Sequence, residues 1–477
     1  RQLEENGYAV TAHETGEIPE GEEDRFITSL PAALSYLPAM LRPAVEGRVV
    51  QDCWWALYDW ACQHGWQQQA VQTVQGLFHH NTPVPLSSEL VRRLYAPDGT
   101  LRGSVTKFEQ YRSCPFAYFS RYGLQLEERP LYRFAAPDLG MLVHGALRIL
   151  GEKLLQDGKQ WYDLPDADIP ALCRDAVETL APDVQHNILM SNAYFGQIKE
   201  RLIQTLIRTV RHLREFSAVS NFHMAGLEKS FGRNHSPWKA VQFTLPNGMS
   251  VVVSGQIDRV DTMCTDTTQY VVVIDYKSGR KQLDLSEVCT GLELQLLTYM
   301  QAALQNIGED AAPAAILYCY VRNDKTSLDC RVDEETKKKL YDKNSKLRGF
   351  YLDDSQIMKA LDTSMKGYSA FLNIQMKKDG TLSNTAHVMY DARTWKQLLH
   401  VSQNRLYEIA QKITAGDISI HPVRLGQKSP CQYCPYHAVC RFDIQMKENT
   451  YDVTDKADAE AWLKKICGEG DDTHGLD

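Results

Sequence analysis

Tyr270-Val271-Val272-Val273-Ile274-Asp275-Tyr276-Lys277-Ser278-Gly279 sets an unbroken apolar, mostly β-branched run directly against an acid, an aromatic and a lysine. Such a run marks a strand buried on both faces, as in a sheet covered by helices. Asp275 ends the run, and period-two alternation sends Asp275 and Lys277 to the same face. Upstream, Gly255-Gln256-Ile257-Asp258 is read as the end of a second apolar strand. The two carboxylates are therefore expected to converge at one edge of a sheet while the strands behind them stay dry. Asp261 is expected to face solvent or to pair with Arg259. Val241 to Leu245 and Met249 to Val253 flank Pro246-Asn247-Gly248, a hairpin signal.

Paired carboxylates offer hard oxygen ligands, which suit Mg2+ or Mn2+. An ammonium at Lys277 beside such an ion fits phosphodiester hydrolysis, in which the metal polarises a phosphate oxygen and the lysine orients water or offsets developing charge. A D-x-K triplet also arises by chance, and the G-x-I-D on the neighbouring strand separates this one from that background. Downstream, Gln295 and Tyr299 are four apart and share a helix face, with Leu292, Leu296, Met300 and Leu304 as an adjacent packing stripe. The pair reads either as a surface glutamine and a half-buried aromatic, or as groups that position Lys277 or a phosphate. His144, in a helix expected to start at Gly140, and Glu228, expected just before a strand, are ambiguous when taken alone.

Cysteines supply the second pattern. Of twelve, most sit in aliphatic segments such as Leu172-Cys173 and read as small core residues. Cys114, within Ser113-Cys114-Pro115-Phe116, and the C-x2-C-x5-C cluster of Cys431, Cys434 and Cys440 stand apart by spacing and neighbours.

The 477-residue chain has ordinary charged and apolar fractions and a net charge of -8, which marks a folded protein and leaves room for a basic groove. It carries no apolar run of bilayer length and no leader-like segment, so a cytoplasmic location is expected. It opens at Arg1 without a methionine, which suggests the C-terminal part of something longer. Three regions are expected: helices over residues 1–100, a helix–strand–helix region over 101–446, and an acidic tail over 447–477 with a short helix near Ala457 to Ile466. Within the middle region, residues 194 to 216 place Ile198, Leu202, Leu206, Val210 and Leu213 on one helical stripe. Lys337-Lys338-Lys339 reads as a solvated helix face.

Asp258, Asp275-Tyr276-Lys277, Gln295 and Tyr299, with His144 and Glu228 upstream, resemble the PD-(D/E)xK nuclease superfamily in its RecB-like branch. The resemblance implies an α/β, restriction-endonuclease-like core, a mixed central sheet flanked by helices, with a large helical insert and a preceding helical segment. It implies metal binding by His144, Asp258 and Asp275 with the Tyr276 carbonyl, catalysis by Lys277, and support from Glu228, Gln295 and Tyr299. The run Ser104 to Phe119 around Cys114, and Ile418-Ser419-Ile420-His421-Pro422 before the cysteine triplet, resemble the iron-sulfur nuclease subunits of bacterial ATP-dependent helicase-nucleases that process double-strand breaks. That likeness, over roughly residues 100 to 450, implies a [4Fe-4S] cluster on Cys114, Cys431, Cys434 and Cys440. It also implies Mg2+, a motor helicase-nuclease subunit as heterodimer partner, and degradation of the 5'-terminated DNA strand. Closing the long loop from Cys114 to Cys431 costs roughly 5 kcal/mol of chain entropy, which a cluster would offset.

Alternatives stay open on sequence grounds. Cys431, Cys434, His437 and Cys440 could form a local Cys3His zinc site with Cys114 a buried thiol. The fold could serve as a DNA-binding scaffold without cleavage, or as a standalone iron-sulfur nuclease of CRISPR-adaptation type. No G-x-x-x-x-G-K-[ST] occurs, so ATP hydrolysis by this chain alone is not expected.

Overall fold

The computed structural model describes residues 23–78, 80–129, 131–233, 236–279, 281–321, 333–384, 387–446 and 448–454, with a few isolated positions besides. The expected helix near Ala457 to Ile466 lies outside the described residues, as do the side chains of Lys337, Lys338 and Lys339. Two compact units are formed, one of Arg1–Thr82 with Asp443–Asn449, the other of Pro83–Phe442 with Thr450–Asp477.

In the smaller unit, helices α1 (Leu30–Val45), α2 (Asp52–Gln63) and α3 (Gln67–Gln75) close over Leu34, Leu37, Leu41, Trp54 and Ala61. Of the tryptophans in the Trp54 to Trp60 run, only Trp54 is buried; Trp55 and Trp60 face outward.

The larger unit is built on a mixed eight-stranded sheet. Its strands include β1 (Thr100–Ser104), β2 (His223–Phe231), β3 (Val241–Thr244), β4 (Ser250–Cys264), β5 (Gln269–Lys277), β6 (Ala311–Tyr320) and β7 (Arg348–Leu352), with Met389–Tyr390 at the far edge. The long β4 is the hub. Its first residues pair with β1 in parallel and with β3 in the expected hairpin, and its later ones are sandwiched between antiparallel β2 and β5. β5 then pairs in parallel with β6, and β6 antiparallel with β7. Val271 to Tyr276 are all buried, as the β-branched run demands.

Helix α4 (Val105–Ser113) follows β1 and ends at Cys114. Helices α5 (Ala136–Gln156) and α6 (Ala193–Val219) belong to the helical segment inserted before β2, and α5 packs on β2. Helix α7 (Gln295–Ile307) packs on β5 and β6.

Four local expectations need correction. Asp258 lies in the middle of β4 rather than at its end, because pairing with β2 and β5 carries the strand on to Cys264. α5 begins at Ala136, where Asp138 Oδ2 accepts from the Ala135 amide at 2.8 Å, so His144 lies in its third turn. α7 begins at Gln295, leaving Leu292 outside its stripe. Glu228 lies inside β2 rather than just before a strand. Of the two readings of Asp261 the pairing is the one found: the residue is buried, its carboxylate held by Arg259 through bonds of 2.7 and 2.6 Å. On α6, Leu206, Val210 and Leu213 are buried, whereas Ile198 and Leu202 are only half-buried.

Candidate active site

Strand register brings the acids together. Leu227↔Arg259 and Lys229↔Ile257 bracket Glu228 at the level of Asp258, and Arg259↔Ile274 carries Asp258 to the level of Asp275. Residues directly opposite across antiparallel strands share a face. Three carboxylates from β2, β4 and β5 therefore stand in a row. Glu228 adopts φ +47°, the left-handed region that a non-glycine residue enters at a cost of about 1–3 kcal/mol. That kink interrupts the ladder at the one β2 residue facing Asp258.

From α5, His144 Nδ1 reaches Asp258 Oδ2 at 3.2 Å. His144, Glu228 and Asp258 present ligand atoms within 4.8 Å of one another, the one such group of three among the described residues. Glu228 thus belongs to this group of three, while Asp275, one strand further on, is engaged differently. Its Oδ2 lies 2.5 Å from Lys277 Nζ, and its Oδ1 accepts from Gln295 Nε2 at 3.2 Å. The Gln295 amide also takes a bond from Lys277 Nζ at 3.3 Å and donates to the Tyr299 hydroxyl at 3.1 Å. Gln295 is thus half-buried against Asp275 and Lys277, and Tyr299 is buried beside it. Tyr276 takes part through its main chain, its amide donating to Asp258 Oδ2 at 2.7 Å.

The electrostatics follow from this crowding. Burial, then the charge of Asp258, push Glu228 up to about 7 and Asp275 up to about 6, with His144 relieving both in part. At His144 burial opposes the imidazolium, but the hydrogen bond and charge of Asp258 outweigh it and leave its pKa above the ordinary value. Clustered carboxyls with raised pKa values next to a lysine form a place where a divalent cation would relieve repulsion.

Three groups escaped the sequence reading. Gln256 donates to Glu228 and accepts from Arg233 at 3.0 Å, tying the strained residue to its neighbour strand. Glu293, wholly buried, takes bonds from Tyr318 and from Lys281 at 3.1 Å. Glu109 on α4 accepts from the amides of Leu294 and Gln295 at 2.7 and 2.9 Å. Only Glu293 left a trace in the sequence, as a charge inside the apolar run Leu292 to Leu297. Gly255, by contrast, explains itself here: a side chain would come within 2.8 Å of the Tyr299 ring and 2.7 Å of the Phe231 ring.

Away from the acids, Cys114, Cys431, Cys434 and Cys440 line one cavity of about 150 Å³ together with Phe116, Ile420 and Phe442. Cys114 caps the end of α4, Cys431 sits in the turn Pro430–Tyr433, and Cys440 ends the short helix His437–Cys440. Burial, with the charges of Cys431 and Cys434 adding to it, pushes the Cys114 thiol up to about 12. Among the described residues no three of these sulfurs come within 4.8 Å of each other. Thiolates on one tetrahedral zinc would stand about 3.8 Å apart, from a Zn–S bond of about 2.3 Å. His437 lines the same cavity, so four thiols and one imidazole share it.

Residues 102–441 match the model of the PD-(D/E)XK nuclease superfamily, and residues 19–76 match that of the ATP-dependent helicase/deoxyribonuclease AddB fifth domain. Over 457 residues the chain is 34% identical to the B subunit of the ATP-dependent helicase/deoxyribonuclease of Desulforamulus reducens, covering 94% of this chain and 39% of that protein. It is 30% identical over 459 residues to the corresponding protein of Bacillus pumilus, covering 95% and 39%. With that of Desulforudis audaxviator it shares 34% over 437 residues, covering 90% and 37%. The chain spans about two fifths of the length of the curated relatives it matches.

Proposed function

The chain belongs to the PD-(D/E)XK nuclease superfamily, and on that premise we propose that it is the DNA-cutting part of a helicase-nuclease subunit. In this reading it is a Mg2+-dependent exonuclease that resects double-strand breaks for recombinational repair and degrades the 5'-terminated strand. The observation that carries it is the row of Glu228, Asp258 and Asp275, flanked by His144 and Lys277 in one site.

His144, Glu228 and Asp258 would hold the cation, with Asp275 and the Tyr276 carbonyl completing the set. A bound Mg2+ would polarise a non-bridging phosphate oxygen and lower the pKa of its water. Lys277, kept on the Asp275 side by the Gln295 amide, orients the attacking water or offsets charge on the phosphorus. Tyr299 fixes the rotamer of Gln295 and so the aim of the lysine.

The cysteine cradle is proposed to hold a [4Fe-4S] cluster. Four thiols gathered at one cavity, Cys114 from one end of the domain and the triplet from the other, with Phe116, Ile420 and Phe442 as apolar walls, support it. The strand is fed by an AddA-like motor subunit in a heterodimer, since the relatives are named as subunits of ATP-dependent helicase/deoxyribonucleases. The setting is the cytoplasm; no described helix is long and apolar enough to cross a membrane.

End-labelled duplex and single-stranded DNA, incubated with the intact protein with and without Mg2+, tests the activity. Mg2+-dependent shortening of the 5'-terminated strand is expected. DNA bound yet uncut under both conditions would instead favour a scaffold.

A further inference from the structure

One helix carries both the cysteine cradle and a grip on the catalytic helix. α4 ends at Cys114, and two of its side chains, one turn apart, hold the segment that leads into α7. Glu109 Oε1 accepts from the amides of Leu294 and Gln295 at 2.7 and 2.9 Å. Arg112 Nε donates to the Thr290 carbonyl at 2.7 Å, and its Nη1 pairs with Asp452 at the same distance. Leu294, at the cap position of α7, makes no side-chain cap of its own. The orphan amides at the start of a helix need an acceptor, and here it is a carboxylate 185 residues away in sequence.

The residue so anchored is Gln295, the first of α7, whose side chain bridges Asp275, Lys277 and Tyr299. A helix that starts one residue late, or rotates at its first turn, would move that amide away from all three. Misplacement of about 1 Å at a catalytic site can cost about a hundredfold in rate.

We infer that Glu109 is a positioning residue for the catalytic pair Asp275 and Lys277. The inference rests on the nuclease reading above.

The test compares Glu109→Ala, Glu109→Gln and Glu109→Asp with the parent in the intact protein. kcat and KM on single-stranded DNA are read together with DNA affinity, iron content and visible absorbance. Glu109→Ala is expected to lower kcat by about tenfold or more, with KM, DNA affinity and the iron signal at parental levels. Glu109→Gln, which keeps an acceptor oxygen for the two amides, recovers most of that loss. Glu109→Asp, which keeps the charge but falls one methylene short, recovers less than Gln; it stands in for Ala should that variant not fold. A parental kcat in the Ala and Asp variants overturns the inference. So does a Gln variant no better than Ala, or a loss of iron in step with the loss of rate, which would mark a merely structural role. A parent that leaves DNA intact with Mg2+ fails the functional reading itself, and is told apart by that control.

Discussion

Lys277 Nζ lies 2.5 Å from Asp275 Oδ2, two positions back on the same strand. The contact is a direct product of strand alternation, and it places a cation against a carboxylate whose ionisation burial and Asp258 both disfavour. Gln295 spans the pair from the helix above, so the charge is aimed as well as present.

Removing either member should separate cutting from binding. Lys277→Ala and Asp275→Ala are each expected to lower Mg2+-dependent DNA degradation by at least about a hundredfold, with affinity for single-stranded DNA little changed. Initial rates and a filter-binding isotherm on the same preparations check this. Parental rates in both variants would refute the assignment of the site.

Cation uptake should depend on pH with a definite sign. Glu228 and Asp275 hold protons up to about 7 and about 6, and His144 holds one above its ordinary range. Each proton must leave before its group can serve a cation. Mn2+ affinity is therefore expected to fall as pH drops through 7 toward 6, and binding at pH 6.5 to release protons that binding at pH 8.5 does not. Calorimetry in buffers of different ionisation enthalpy measures the release, and a pH-independent affinity would contradict the site's electrostatics.

The cysteine cradle makes a chemical prediction. The parent should contain iron and acid-labile sulfide and absorb in the visible. Serine at any one of Cys114, Cys431, Cys434 or Cys440 should bleach it and open the larger unit to protease. A colourless parent with one equivalent of zinc would replace the cluster by a single ion.

Under the sheet, Arg259 and Asp261 form a buried ion pair with side chains 1% and 3% exposed. Breaking one partner leaves a stranded charge, so Asp261→Ala should destabilise the larger unit by about 3–5 kcal/mol. Arg259→Met with Asp261→Leu together should restore most of that loss, because no charge is then left behind. Denaturant midpoints of the three proteins check both statements.

Local periodicity carried much of this site. The β-branched run foretold a doubly covered strand, alternation put Lys277 beside Asp275, and four-residue spacing put Gln295 against Tyr299. Such relationships span a few residues, and backbone geometry alone enforces them. The hairpin over β3 and β4 was legible for the same reason.

Only the tertiary structure decided the rest. Glu228 could not be told from a solvated glutamate until β2 paired with β4 and a left-handed turn of the backbone faced it to Asp258. Asp258 read as a strand end because nothing within the sequence shows that β2 and β5 prolong β4 on both sides. Whether Asp261 faced solvent or paired with Arg259 stayed open in the sequence, because burial depends on what packs above it. Glu109 left no mark at all, since its two amide partners lie far along the chain. Spacing specifies what a segment can present; which segments meet is set by long-range packing, and that is what gathered these acids and the residues around them.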